Sequence, residues 1–245
     1  MKALIFAAGL GTRLKPYTDT MPKALVPVGG KPLLYHVITK LKAAGFDEVV
    51  INVHHFADSI IDYVHGEDDF GIKVSFSEER DLLRETGGGI SHARIFLNDG
   101  PFLVHNVDIL SDLDLDWFVS KADPNAVSNI LVSDRKTQRY LLFDDDMRMV
   151  GWTNISTGEV KSPYSDLDPE KCHRYAFDGI HLISDGIFHI FDEDGWGERF
   201  PMMDFYIAEC AKHTFRGILP DSLRLIDVGK VDSLKEAEAL LTTLK

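Results

Sequence analysis

The chain opens on a strand that runs straight into a glycine loop, and few architectures accept that order. Ala3 to Ala8 is an unbroken apolar run, and Gly9-Leu10-Gly11-Thr12-Arg13-Leu14-Lys15-Pro16 follows it directly. Glycines at the end of a buried strand allow a tight turn and bring backbone N–H groups close to a bound anion. The alternation then continues. Leu34, Val37, Ile38 and Leu41 follow helical spacing, with Pro32 in the first turn and Gly45 at the C-terminal cap. Val49 to Val53 reads as a second strand, Ile60, Ile61 and Val64 as a short helix, and Ile72 to Phe76 as a third strand. Gly87 to Phe96 opens another helix, and Pro101 to Val107 another strand. Strands that alternate with helices need crossover connections, so the expected class is α/β, a Rossmann-like three-layer sandwich with a mixed, mainly parallel central sheet.

From Asn129 to Ile183 the pattern changes. Short runs (Ile130 to Val132, Leu141 to Phe143, Met149 to Trp152) alternate with polar turns such as Asp144 to Asp146, as in an antiparallel extension of the sheet. Asn154 to Arg174 is a long polar stretch, either functional or disordered. A final helix is expected from about Ser233, with Ser233 and Glu236 as a capping box and Leu234, Ala237, Leu241 and Leu244 as its apolar stripe. With 245 residues, no repeat and no linker, the chain reads as one domain over 1–245.

Charge narrows the partners. Lysine and arginine total 26 against 39 aspartates and glutamates, a net charge of −13. Such a surface repels nucleic-acid backbones and anionic membranes, so neither is expected as a partner. A small phosphorylated ligand stays open, since a few cations and a divalent metal make one pocket positive. Cys172 and Cys210 form no C-x-x-C pair, which favours a reducing cytoplasm. The first apolar run is short and broken by Gly11, Thr12 and Arg13, so it reads as a strand and not as a secretion signal.

The glycine loop is neither a Walker loop nor a full dinucleotide fingerprint, because Leu14 stands where the third glycine would be. Alone it fits a tight turn with a solvated Arg13 as well as a phosphate cradle. Lys23, in Pro22-Lys23-Ala24-Leu25-Val26-Pro27-Val28, adds a second cation near the end of the first strand, where α/β sheets bind nucleotides.

Together these segments resemble the signature of the sugar-1-phosphate nucleotidyltransferases, G-x-G-T-R-L-x-P followed by P-K-P-L-x-P-V, with Ala24 in place of the second proline. The resemblance covers nearly the whole chain and implies the nucleotide-diphospho-sugar transferase fold. It implies that Ala7, Ala8, Gly9, Gly11 and Thr12 bind the nucleotide. Arg13 would contact the phosphates that leave as pyrophosphate, and Lys23 the α-phosphate; these two are the expected catalytic residues.

Asp108 and Asp227 each follow an apolar strand, a position that suits either a metal ligand or a turn cap. The segments Asn106-Val107-Asp108 and Asp227-Val228-Gly229 match the family's N-x-D and D-V-G, which implies that both aspartates hold Mg²⁺. Hard carboxylate oxygens suit that ion. The resemblance further implies that Glu85, Thr86 and Gly87, opening Glu85 to Ile90, line the base and ribose, with Glu79 a weaker candidate for the base edge. Asn106 and Gly179 would face the sugar phosphate. The G-x-x-E-K-P motif, whose lysine meets the sugar phosphate in larger members, is missing; Lys161 is the candidate for that role here, but the match is poor.

Other signals are set aside. His54-His55 lacks a third ligand at diagnostic spacing. Asp112, Asp114 and Asp116 read as the charged start of a helix and not as the D-x-D of a glycosyltransferase. Cys172-His173 forms no triad. Trp196 and Phe200 read as packing.

The expected reaction is nucleoside triphosphate plus sugar 1-phosphate giving a nucleoside diphosphate sugar and pyrophosphate. Among short members the chain looks most like the N-acetylmuramate 1-phosphate uridylyltransferases of cell-wall recycling, which favours UTP. Mannose-1-phosphate guanylyltransferases and glucose-1-phosphate thymidylyl- or uridylyltransferases, using GTP, dTTP or UTP, are the alternatives. A metal-dependent glycosyltransferase and a non-catalytic nucleotide-sugar-binding regulator are the rival classes. The chain ends soon after Asp227, so no C-terminal β-helix is expected, and either a monomer or a small homo-oligomer fits.

Overall fold

The computed structural model describes residues 1–243. The first half lays down the expected units. Strand β1 (Lys2–Phe6) leads into the glycine loop, a short hairpin β2 (Pro27–Val28) and β3 (Lys31–Pro32), and helix α1 (Leu33–Ala43). Then come β4 (Glu48–Val53), α2 (Ala57–Gly66), β5 (Lys73–Glu78), α3 (Glu85–His92), α4 (Arg94–Leu97) and β6 (Phe102–Asn106). The second half adds β7 (Ile109–Ser111), α5 (Leu115–Ser120), β8 (Ser128–Ser133), β9 (Arg139–Phe143), β10 (Met149–Asn154) and β11 (Glu159–Lys161). It closes with β12 (His173–Ile183), α6 (Ile187–Glu193), α7 (Met202–Glu209), β13 (Phe215–Ile218), β14 (Leu225–Asp227) and α8 (Asp232–Thr243).

The main sheet runs β5-β4-β1-β6-β12-β8-β13, and β12 alone opposes its neighbours β6 and β8. β9, β10 and β11 form an antiparallel extension joined to the N-terminal end of β12. The sandwich is therefore mixed and mostly parallel, as the sequence pattern predicts.

Strand alternation divides the core between the two faces. Ala3 and Ile5 of β1 pack with Leu34, Val37, Ile38 and Leu41 of α1. Leu4, between them, points to the other face, with Ile90 of α3, Phe191 of α6 and Phe205 of α7. Burying such side chains stabilises by about 1.5–3 kcal/mol each.

Chain order fixes the site. β4 pairs on one side of β1 and β6 on the other, so the crossover direction reverses between β1 and β6. A crevice opens at the carboxyl ends of strands that diverge in this way.

Two local expectations differ. Ser233 and Glu236 form no capping box: Asp232 already begins α8, and the Ser233 hydroxyl donates to the Lys230 carbonyl at 2.7 Å. Ala237 is buried in the proposed stripe, whereas Leu244 lies outside the described residues. The polar stretch 154–174 is largely accounted for by β11, its turn with β10 and the approach to β12.

Candidate active site

The glycine loop folds as a tight turn at the end of β1. Gly11 adopts φ +62°, and its carbonyl accepts from the Leu14 amide at 2.9 Å and the Thr18 hydroxyl at 2.8 Å. A Cβ at Gly11 would lie 2.8 Å from Thr18 Cγ2 and 3.0 Å from Lys23 Cβ. Glycine therefore lets the loop press against the segment that carries Lys23. Thr12 and Arg13 lie on the exposed outer side of this turn.

Lys23 reaches across the crevice. Its ammonium donates to Oδ2 of Asp108, which stands just past the end of β6; both side chains are mostly buried. Asp227 comes to the same place along a different path. β14 pairs antiparallel with β7, placing Asp227 opposite Ile109, and the Val228 amide donates to the Asp108 carbonyl at 2.8 Å.

Desolvation, reinforced by the negative charge of Asp108, pushes the Asp227 carboxyl above the usual carboxylate range; Lys23, Arg13 and Arg135 pull the other way. Part of Asp227 remains exposed, so solvent screens this displacement. Gly229 sets Arg13 beside it, since a Cβ there would fall 2.8 Å from Asp227 Oδ1 and 2.9 Å from Arg13 Nη2. Two repelling carboxylates with oxygen-only donors form a set that fits a hard divalent cation.

Beside this cluster lies a cavity of about 350 Å³, whose wall includes Ala7, Ala8, Gly9, Lys23, Asn106 and Asp108. Glu79, Glu85 and Thr86 form its far end with Asn52 and Leu83. Glu79 is buried, and its oxygens are engaged by the Asn52 amide at 2.6 Å and the Arg84 N–H at 2.8 Å. It anchors the loop that walls this end. Thr86 donates no bond inward; its hydroxyl accepts from the Met202 amide at 2.8 Å. Gly87 lies beneath Phe200, where a Cβ would be 2.2 Å from Phe200 Cε2, and it does not line the cavity. Close packing of α3 against the Phe200 segment is what its lack of a side chain permits.

A second cavity, about 560 Å³, lies between the β9–β11 extension and the start of α7. Lys161 is found here, 5.5 Å above the Trp152 ring, and not on the wall of the first cavity. Gly179 links the two regions. It sits at φ +74° where the β12–β8 register shifts, and a Cβ would lie 2.9 Å from Asn106 Nδ2. Next to it, fully buried Asp178 accepts from Arg135 Nε at 2.7 Å. Burial pushes the Asp178 carboxyl up, and Arg135 opposes this.

Sequence reasoning missed Asn52 and Arg135. The available signal for Arg135 was Asp178 itself, a carboxylate within an apolar strand that requires a cationic partner.

The signals set aside have ordinary roles. Asp114 caps α5 by accepting from the Trp117 amide at 3.0 Å, and Asp112 pairs with Arg224 at 2.7 Å. His54 Nδ1 bonds the Glu79 carbonyl at 2.7 Å. Trp196 and Phe200 pack edge-on and tilted around Phe191 and Phe205. Among the described residues, no helix is long and apolar enough to cross a membrane.

Residues 2–143 match the family described as nucleotidyl transferase. The chain is 44% identical over 249 residues to the N-acetylmuramate alpha-1-phosphate uridylyltransferase of Caulobacter vibrioides, covering 98% of this chain and 96% of that protein. It is 28% identical over 236 residues to the mannose-1-phosphate guanyltransferase of Emericella nidulans, covering 86% and 64% of the two. In fold it resembles HddC from Yersinia pseudotuberculosis complexed with GMP-PN, with TM-score 0.78, 23% identity, and 98% and 99% of the two chains covered. A glucose-1-phosphate thymidylyltransferase assigned in Bacillus anthracis is similar, with TM-score 0.80, 21% identity, and 98% and 94% covered.

Proposed function

This chain belongs to the nucleotidyl transferase family, as an enzyme that transfers a nucleotidyl group to a sugar 1-phosphate, and we propose that its substrates are UTP and N-acetylmuramate 1-phosphate. The observation that supports this choice is the 44% identity to the Caulobacter uridylyltransferase, which extends over nearly all of both chains. Under this reading the products are UDP-N-acetylmuramate and pyrophosphate, and the pathway is cell-wall recycling. Cys172 and Cys210 are both free thiols, and the setting that suits this reading is a reducing cytoplasm.

The nucleotide occupies the first cavity, with its base toward Glu79, Glu85 and Thr86 and its phosphates toward the glycine loop. Ala7, Ala8 and Gly9 supply close backbone there, and Gly11 and Thr12 continue the loop beyond the cavity wall, where the outer phosphates would lie. The acceptor approaches from the side of Asn106 and Gly179. One phosphate oxygen of the acceptor attacks the α-phosphorus in line. The new O–P bond forms as the bond to the β-phosphate oxygen breaks, and pyrophosphate departs.

Little covalent work is left to the protein, so positioning and charge balance dominate. Lys23 balances the α-phosphate, and Arg13, on the Asp227 side, balances the leaving pyrophosphate. Asp108 and Asp227 would hold Mg²⁺, which supplies charge neutralisation and orientation of the phosphates. Lys23 then exchanges its bond to Asp108 for one to substrate.

The test is product formation from each pairing of UTP, GTP and dTTP with N-acetylmuramate, mannose and glucose 1-phosphates, identified by mass. UDP-N-acetylmuramate as the preferred product supports the assignment. Preference for GDP-mannose or a glucose nucleotide would replace it within the same family.

A further inference from the structure

The face of the antiparallel extension that floors the second cavity carries an unusual set of cations. Cross-strand register aligns Arg139 with Asn154 and Glu159, and Leu141 with Trp152 and Lys161. Residues two apart along a strand share a face, so these two rows lie side by side beneath the cavity. Arg135 closes one end, and Asp204 stands on the opposite wall with α7.

Charge in this cavity departs from the rest of the molecule. The chain carries −13 overall, yet Arg135, Arg139 and Lys161 here meet only Glu159 and Asp204 among the lining acids. The three cations are not equivalent. Arg135 is fixed: Nε donates to buried Asp178 at 2.7 Å and Nη2 to the Phe177 carbonyl at 2.7 Å. Its remaining nitrogen, Nη1, has no partner among the described residues. The Asp178 that holds it adjoins Gly179, which packs against Asn106 on the wall of the first cavity. Arg139 is exposed, and among the described residues its guanidinium makes no ion pair. Lys161 pairs with Glu159 at 3.5 Å and lies over the Trp152 ring.

We propose that this cavity selects an acceptor bearing two anionic groups. Arg135 receives its phosphate, and Arg139 with Lys161 receives a carboxylate carried on the sugar. The inference rests on the reading that the acceptor is a sugar 1-phosphate. The volume of about 560 Å³ suits a substituted amino sugar. The half-buried Trp152 offers an apolar platform for the ring. A pre-held guanidinium suits a phosphate, because its donors are already aimed and little side-chain freedom is lost. A carboxylate at the far end of the acceptor needs a separate cation, and Arg139 is the one with no other partner.

Two acceptors separate the claims: N-acetylmuramate 1-phosphate, with its lactyl carboxylate, and N-acetylglucosamine 1-phosphate, which lacks it. With UTP as donor, Arg139→Gln is expected to lower kcat/KM for the first by about 10–100-fold, the range for one charge-assisted bond. It should leave the second, and KM for UTP, unchanged. Arg135→Lys should lower kcat/KM for both acceptors while the protein remains folded by thermal unfolding. An equal effect of Arg139→Gln on the two acceptors, or none on either, would overturn the proposal. Wild-type enzyme that turns over neither acceptor but uses another sugar 1-phosphate would defeat the functional reading, and this inference with it.

Discussion

The Val228 amide donates to the Asp108 carbonyl at 2.8 Å, and that bond ties the C-terminal segment to the end of β6. Through it Asp227, the preceding residue, is held beside a carboxylate that already pairs with Lys23. Two negative groups placed together by backbone bonding form an arrangement that costs stability unless a cation offsets it. Lys23 and Arg13 offset it in part, and the remainder is what a divalent metal and a phosphate chain would complete.

Asp108→Asn and Asp227→Asn should each lower kcat by about 10²–10³-fold, comparable to loss of one main electrostatic stabiliser. Neither change introduces a clash, and each relieves repulsion with the other carboxylate, which in Asp108→Asn offsets the weakened bond to Lys23. Thermal midpoints should therefore stay within ~4 °C of wild type. Turnover measured at saturating magnesium checks this. Near-normal activity in Asp108→Asn would remove that residue from the site.

Lys23→Ala should make the protein more dependent on metal for stability. Without the ammonium, the Asp108 and Asp227 charges face each other with less compensation. Differential scanning fluorimetry should then record a larger rise in midpoint on adding magnesium than wild type gives. Equal rises in the two proteins would contradict the described charge balance.

Gly179→Ala tests the contact between β12 and Asn106. The position has φ +74°, and a Cβ would stand 2.8 Å from Ile109 Cγ1 and 2.9 Å from Asn106 Nδ2. Strain in the left-handed region costs about 1–2 kcal/mol. The substitution should lower stability by about that amount in urea titration. KM for the acceptor should rise as Asn106 is displaced, with KM for UTP little changed.

Acid should destabilise the fold before carboxylates titrate fully. His105 and His181 are buried, and burial lowers their pKa values from 6.5 to about 4 and about 3. Between pH 6.5 and these values the unfolded chain binds protons that the folded chain refuses, so stability falls as pH drops. Each histidine contributes a slope of up to about 1.4 kcal/mol per pH unit in that window. His181 Nδ1 bonds the Tyr206 hydroxyl at 2.5 Å within the core. His181→Gln should flatten the pH dependence of the urea midpoint; an unchanged slope would mean that His181 is not held neutral.

Much of this arrangement could be read from local sequence. The turn at Gly11 and the helix face of α1 depend on neighbours in the chain, and apolar runs that end in Asp108 and Asp227 mark strand ends. What local pattern leaves out is register. Arg135 meets Asp178 across 43 residues, just past the end of β8, where β12 shifts register around Gly179. Gly87 belongs to packing because a distant Phe200 fills the space beside it. Ser233 and Glu236 match a capping spacing, but the chain enters α8 one residue earlier, and the hydroxyl turns to Lys230. Lys161 stands out in the sequence only as a poor match to a family lysine, whereas its place over Trp152 depends on pairing between β10 and β11.

The central claim is direct transfer: the acceptor phosphate attacks UTP with no nucleotidyl-enzyme intermediate. The most direct measurement is pyrophosphate release by the wild-type enzyme with UTP and magnesium, in the presence and absence of N-acetylmuramate 1-phosphate. Direct transfer predicts release only with both substrates, and no incorporation of labelled pyrophosphate into UTP when the acceptor is left out. A stoichiometric burst of pyrophosphate from UTP alone, or label exchange without acceptor, would contradict it.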